Sequence, residues 1–346
     1  MNLLRKRSDR PPRRGGWRQV LTDRKVRTEA LTGYFFIAPY LLITIAFTVG
    51  VIAFAVYVSF TSFNLFQPPE FTGFANYTKA FQDVKFIRSL GNVFWYVIIV
   101  VPLQTAVALG LAVLLNAKIR GSSGFRTIYY APSVTSSVVI TMIFFWLYLK
   151  TGYINLLFTK LWLLVGATFE PITWLNNPTG LFEGIVATVG GDISNAHWFI
   201  QGPSVTWMAI MFQNIFTTAP TFMIIFLAAL QNIPPTLYEA ASIDGANRWQ
   251  QFKSVTVPML RPVIFLIVVL GTIGTWQIFD QVKILTAGGP LNTTLTPVYL
   301  IYSEALGTLG PPRMGFASAM AFLLAAIIFA FTLIQRRYIE SGTEQY

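Results

Sequence analysis

Residues 233–252 read IPPTLYEAASIDGANRWQQF, and the run continues KSVTVP to Pro258. Thr236, followed three residues later by Glu239, has the spacing of a capping box and predicts the start of a short helix. Ala240, Ala241 and Ile243 place small apolar side chains on that helix. Gly245 is free to adopt φ > 0, so the chain is expected to turn sharply there into a second short helix. Pro258 and Pro262 are expected to end the loop. The product is a compact helix–turn–helix knob suited to docking into a groove of another protein.

On either side of this loop lie Val205–Leu230 and Val263–Ile284, each long and apolar enough to cross a hydrocarbon core about 30 Å thick. Four further stretches qualify: Tyr34–Phe60, Asn92–Leu115, Ile128–Leu149 and Phe316–Ile334. Over 346 residues, 54% are hydrophobic and 11% charged, and the mean hydropathy is +0.57. Soluble domains carry about 25% charged residues, so the composition argues against a soluble enzyme. Cysteine is absent and His197 is the single histidine, which removes disulfide frameworks and thiolate chemistry and leaves little for a histidine metal site. No metal site and no catalytic residue is expected. The polar segment 1–30 lacks a small-residue cleavage signal, so the first span reads as a retained anchor.

Lys and Arg sort by loop. Ten lie in the amino-terminal tail; Lys118, Arg120 and Arg126 follow the second span, Arg248, Lys253 and Arg261 the fourth, and Arg336 and Arg337 the sixth. The opposite side holds seven: Lys79, Lys85, Arg88, Lys150, Lys160, Lys283 and Arg313. The positive-inside rule then puts both termini, and the 233–258 loop, in the cytoplasm. The net charge of +11 is thereby read as topology and contact with anionic lipid, with no nucleic-acid partner.

Glu239-Ala240-Ala241, Asp244-Gly245-Ala246, Phe252 and Pro258 resemble the EAA loop of permease subunits of binding-protein-dependent ABC importers. Tyr129-Tyr130-Ala131-Pro132, Gly152-Tyr153-Ile154-Asn155, Trp174-Leu175-Asn176-Asn177-Pro178 and Gly288-Gly289-Pro290 resemble its maltose-type sugar branch. The match covers roughly residues 30–340. It implies an all-α, six-span type I importer permease in a bacterial inner membrane. The loop of about 231–262 is then the coupling helix seated in a cytoplasmic ATPase. The implied partners are a second permease (a heterodimer), two ABC ATPase subunits and an extracytoplasmic sugar-binding protein. The sequence holds no G-x-x-x-x-G-K-[ST] phosphate loop. The chain is therefore expected not to be an enzyme and to bind no cofactor, with ATP and Mg carried by the partner ATPases.

Polar residues inside spans suggest a path for substrate. Ser133, Ser137 and Thr141 recur every four residues in the third span, and Asn214, Thr218 and Thr221 share a face in the fourth. Trp276, Gln277 and Asp280 are expected on one face of the fifth. Such faces offer hydroxyl partners and an aromatic plane to a sugar. Counted from the family motifs, Asn214, Thr218, Ser133, Ser137, Thr275 and Gln277 fall at or beside substrate-contacting positions of maltose-type permeases. Side chains differ at several of these, so maltose itself is not implied. For each Ser or Thr the competing role is helix–helix packing, and for Asp280 it is pairing with Lys283.

The loop of about 150–204 is long for a connection between spans. Residues 180–203 read as an insertion, either a variable surface loop or a contact for the binding protein, and His197 within it is assigned no chemistry. The tail 341–346 is cytoplasmic. An ion-coupled secondary transporter is the alternative; it needs intramembrane acids or broken helices, and Asp280 alone supports it.

Overall fold

The computed structural model describes residues 24–117, 121–308 and 310–339. Most of the basic amino-terminal tail, Lys118, Arg120 and the last residues lie outside the described part. The chain divides into two compact units, Met1–Tyr57 and Val58–Tyr346. In the first, α1 (Arg24–Ile43) carries Pro39 and runs through a π-helical turn (Thr44–Val49) into α2 (Gly50–Ser59). At the turn, Gly50 N–H donates to Ile45 O, five residues back, the wider ring of a π-bulge.

The second unit begins with α3 (Ala75–Gln82) and the 33-residue α4 (Val84–Asn116). The third span follows as two arms, α5 (Ser122–Val134) and α6 (Ser137–Leu147). At one end of the bundle sit α7 (Tyr153–Leu164), α8 (Leu181–Thr188) and α9 (Trp198–Gln201), and α10 (Val205–Gln231) returns through it. Beyond come α11 (Pro235–Ile243), α12 (Arg248–Gln251), a π-helical turn (Phe252–Thr256), α13 (Val257–Met259), α14 (Arg261–Trp276), α15 (Asp280–Leu285), α16 (Pro297–Leu306) and α17 (Met314–Ile339). Among the described residues five helical runs are long and apolar enough to cross a membrane, six if the bent pair α5–α6 is one span.

The core forms where α4 lies along α10. Tyr96, Val100, Gln104, Ala108 and Ala112 recur every fourth residue on α4 and are all enclosed, one stripe of a helix. Against it α10 sets Trp207, Ile210, Met223 and Phe226. The Tyr96 and Trp207 rings lie 4.6 Å apart, and Trp207 Nε1 donates to Asn92 O at 2.9 Å. Asn92 Nδ2 in turn donates to the carbonyls of Asn292 and Leu295, tying the α15–α16 loop to α4. Asp83 caps α4 by accepting from Phe86 N at 2.9 Å, so the helix starts two turns before the predicted Asn92.

Two spans differ from expectation. Ile128–Leu149 is not one helix: α5 and α6 meet at 96°. Thr135 and Ser136 are extended there, with ψ of 143° and 132°, which ends α5 at Val134 and starts α6 at Ser137. Val263–Ile284 is also interrupted, because α14 stops at Trp276 and Asp280 opens α15. Ser133 therefore does not share a helix face with Ser137 and Thr141, nor does Asp280 share one with Trp276 and Gln277.

Candidate functional site

The 233–258 loop forms the expected knob by a different start. Pro235 occupies the first turn of α11 and Pro234 precedes it without a side-chain cap. Thr236 is already inside the helix, so the predicted Thr236–Glu239 capping box does not form; proline's fixed φ starts the helix instead. Gly245 sits at φ +79°. Ala246 N–H donates to Ala241 O at 2.9 Å and Gly245 N–H to Ser242 O at 3.1 Å, the paired bonds of a Schellman cap. A capping box does occur one helix on: Asn247 Oδ1 accepts from Gln250 N at 2.9 Å, and Gln250 Oε1 accepts from Asn247 N at 2.7 Å. The N-x-x-Q spacing was there to be read.

Gln251 Nε2 donates to both Ser242 Oγ and Ala246 O, locking α12 to α11. Tyr238 OH and Thr256 Oγ1, 3.0 Å apart, tie α11 to the π-helical turn. A cavity of about 220 Å³ under the knob is lined by Asn116, Leu230, Tyr238, Arg248 and Phe252, so the knob sits over the shared end of α4 and α10. Glu239, Ala240, Asp244 and Gly245 are exposed, and Ala241, Ala246, Phe252 and Pro258 half-buried. Ile243 is 87% and Trp249 70% exposed, an apolar tip that water does not favour. Pro262 stands in the first turn of α14, where the loop ends as expected, while Pro258 stands in the first turn of α13, still within the loop. The knob is joined through the π-helical turn and α13 to α14, with the single turn residue Leu260 between the last two.

The predicted path residues separate into two groups. Ser133 and Thr141 hold helices together: Ser133 Oγ donates to Thr217 O at 2.7 Å, and Thr141 Oγ1 accepts from Gln213 Nε2 at 2.7 Å. One clamp grips each arm of the broken span, on Gln213 and Thr217 of α10, four residues apart. Thr275 is buried and bonds back to Thr272 O, and Trp276 is buried with its Nε1 unpaired among the described residues. Half-buried Asn214 and Thr218 and exposed Thr221 share a face of α10, while half-buried Ser137 heads α6 and exposed Gln277 follows α14. The opposite side of α10 lines a cavity of about 400 Å³ with Tyr129, Pro132, Phe212, Phe216 and Pro220. Those side chains bring almost no hydrogen-bonding atoms, so that cavity does not suit a sugar. Gln213 was missed by sequence reasoning; it lies beside Asn214, and no period in the sequence separates a buried clamp from a path residue.

Lys283 does not pair with Asp280. Its ammonium donates to Tyr302 OH at 3.0 Å and sits 4.3 Å from the Tyr302 ring centre, a cation–π contact. Nearby, the Gly288-Gly289-Pro290 turn has Gly288 at φ +85°, and Thr294 Oγ1 closes it by donating to Gly289 O. The family motif around Asn155 is explained by its hydrogen bonds. Asn155 Nδ2 donates to the carbonyls of Leu149, Lys150 and Ile172, and Oδ1 accepts from Ile172 N and Trp174 Nε1. The insertion closes on itself where Gly180 pairs with Ser204 in an isolated bridge. Phe199 then packs on Phe94 and Trp95 of α4, and His197 caps α9.

The family model for binding-protein-dependent transport system inner membrane components matches residues 104–341. The chain is 34% identical over 316 residues to the probable ABC transporter permease protein YesP of Bacillus subtilis (strain 168), covering 90% of this chain and 91% of that protein. It is 30% identical over 309 residues to the lactose transport system permease protein LacF of Rhizobium radiobacter, covering 88% and 93%. The fold matches the crystal structure of a bacterial ABC transporter involved in the import of the acidic polysaccharide alginate. There the TM-score is 0.71 at 20% identity, over 92% of this chain and 98% of that one.

Proposed function

The chain belongs to the family of binding-protein-dependent transport system inner membrane components, and from that premise we propose that it is one of two permease subunits of an ATP-driven sugar importer. The likeness to the lactose transport system permease protein LacF supports a sugar as cargo. The chain spans the bacterial inner membrane with both termini in the cytoplasm. A second permease completes the pathway, two ATPase subunits supply ATP and Mg, and an external binding protein delivers the sugar. The ion-coupled alternative is set aside by the family match.

The observation that carries this reading is the exposed α11–α12 knob, continuous with α14 and braced over the ends of α4 and α10. An ATPase cleft that closes on ATP drags Ile243 and Trp249. Gln251 makes the two short helices move together, and the helical run through Phe252–Thr256 delivers that movement to α14. Because α14 packs on α4 with Gly271 against Gln104, displacement of α14 changes how the bundle closes at its far end. Asn214, Thr218 and Thr221 offer an amide and two hydroxyls to a sugar, with Ser137, Gln277 and Asp280 at helix breaks that can re-aim them. ATP hydrolysis returns the cavity to the cytoplasm.

Reconstitution into proteoliposomes with the second permease, ATPases and binding protein tests the proposal. Sugar uptake should require ATP inside the ATPase compartment and the binding protein on the other side. Uptake that persists without ATP and follows an imposed ion gradient would overturn it.

A further inference from the structure

The helix α7 has no counterpart among the crossings. Twelve residues at 1.5 Å each reach about 18 Å, too short for a hydrocarbon core about 30 Å thick. One of its faces is fixed: Asn155 is stapled as described, and Phe158 stacks on Phe169 and Trp174 at 5.5 and 6.2 Å between ring centres. Gly152 allows this seat, since a Cβ there would collide with the backbone oxygens of Trp146 and Leu147. The opposite face holds Tyr153, Leu157, Leu161 and Leu164 at helical spacing, and it is bare. Leu157 is 57% and Leu164 84% exposed.

We infer that α7 lies in the plane of the membrane, with this face sunk into the outer leaflet. Three observations select lipid as the occupant. The apolar surface is continuous with a membrane-crossing arm: exposed Trp146 of α6 leads through Leu149 directly to Tyr153 and Leu157. The charges suit a lipid surface, because Lys150 and Lys160 are the charged residues of 149–169 and no acid falls among them. Exposed Lys160 has the stem to reach headgroups while Leu157 and Leu161 on either side stay in the acyl region. Tyr153 and Trp162 are the aromatic types that settle at the membrane–water boundary. A rigid apolar helix beside the bent α5–α6 span fixes the depth of that span's outer arm, so that movement of α14 is not dissipated by sliding. The word outer rests on the topology proposed above; the interfacial position does not.

The chain has no cysteine, so single-cysteine spin labels report unambiguously. Leu157→Cys and Leu161→Cys would be labelled in the importer reconstituted with its second permease. At 157 and 161 the nitroxide should collide with oxygen several-fold more than with a water-soluble nickel chelate. Free access of the nickel chelate at 157 and 161 would overturn the inference in favour of a water-exposed helix. Exclusion of both reagents there would overturn it in favour of a contact with the second permease. Asp192→Cys, exposed in the insertion, tests the side separately: a membrane-impermeant maleimide should label it from outside intact cells. Labelling only after permeabilisation would overturn the outer-leaflet assignment and the topology together, while leaving the collision result for depth intact.

Discussion

Gln213 donates from Nε2 to Thr141 Oγ1 at 2.7 Å inside the bundle, and both side chains are fully enclosed. This bond joins α6, the second arm of the broken span, to α10 one residue from Asn214. Four residues along, Thr217 O takes the hydroxyl of Ser133 from the other arm. The break is therefore held on both sides by one helix face.

Removing the acceptor alone should hurt most. Thr141→Val leaves Gln213 with neither amide atom paired, since Oε1 already lacks a partner among the described residues. Interhelical hydrogen bonds in membranes average about 0.6 kcal/mol and reach about 1.7 kcal/mol, and an orphaned buried group adds about 1 kcal/mol or more. Denaturant unfolding of the purified assembly should show a loss of about 1–2 kcal/mol. The double variant Thr141→Val with Gln213→Leu should recover part of it. Strict additivity of the two single changes would show that the bond contributes nothing.

The α4–α14 contact makes a second prediction. A Cβ built on Gly271 falls 2.5 Å from Gln104 Nε2. Gly271→Ala should therefore push aside the Gln104 amide, the far end of a flexible side chain, at a cost near the low end of the overpacking range of about 1–3 kcal/mol. Combining it with Gln104→Ala should restore thermal stability, because the obstructing amide is gone. If the double variant is no more stable than Gln104→Ala and Gly271→Ala taken separately would give, the Gln104 amide does not fill the space beside Gly271.

At Gly245 the constraint is conformational. No atom lies within 4 Å of the position a Cβ would take, while φ is +79°. Sequential replacement should rank Asn mildest, then Ala, then Val, because Asn tolerates the left-handed region and a β-branched residue does not. Ala is expected to cost about 1 kcal/mol locally. Sugar uptake should follow that order while the chain still inserts and folds, as judged by co-purification with the second permease.

Asn155→Ala removes five hydrogen bonds at once from a side chain 2% exposed. With about 1–3 kcal/mol for each buried group left unpaired, the turns at 149–152 and 172–174 should open. Limited proteolysis from the outer side should cut between 149 and 174 in the variant and leave the parent intact.

Much of this was legible in residue types. Apolar length located every crossing, and Gly245 with its small neighbours located the knob, because both signals are local. The breaks were not legible. Thr135 and Ser136 stand in an apolar run no different from a continuous span, and Ser133 and Thr141 hold the bend through partners on α10 that lie far away in the sequence. Likewise Gln277 looks like a helical residue until α15, α16 and the Gly288 turn are in place. The capping signal was misplaced for a local reason: Pro235 outranks Thr236 in starting α11, while Asn247 and Gln250 formed the box one helix later. For the sugar path, Ser133 and Thr141 show why polar periodicity misleads, since the same side chains that suit a substrate also join helices.

The central claim is that α11–α12 transmits force from an ATPase. Its most direct measurement is cross-linking from Ile243→Cys, the lone thiol in a cysteine-free chain, to single cysteines placed around the cleft of the partner ATPase. A cross-link that forms in the assembled importer and stops ATP-driven sugar uptake until it is cleaved is the predicted result. If Ile243→Cys in the transport-competent complex reacts freely with a water-soluble maleimide and joins no ATPase cysteine, the knob is not the coupling element.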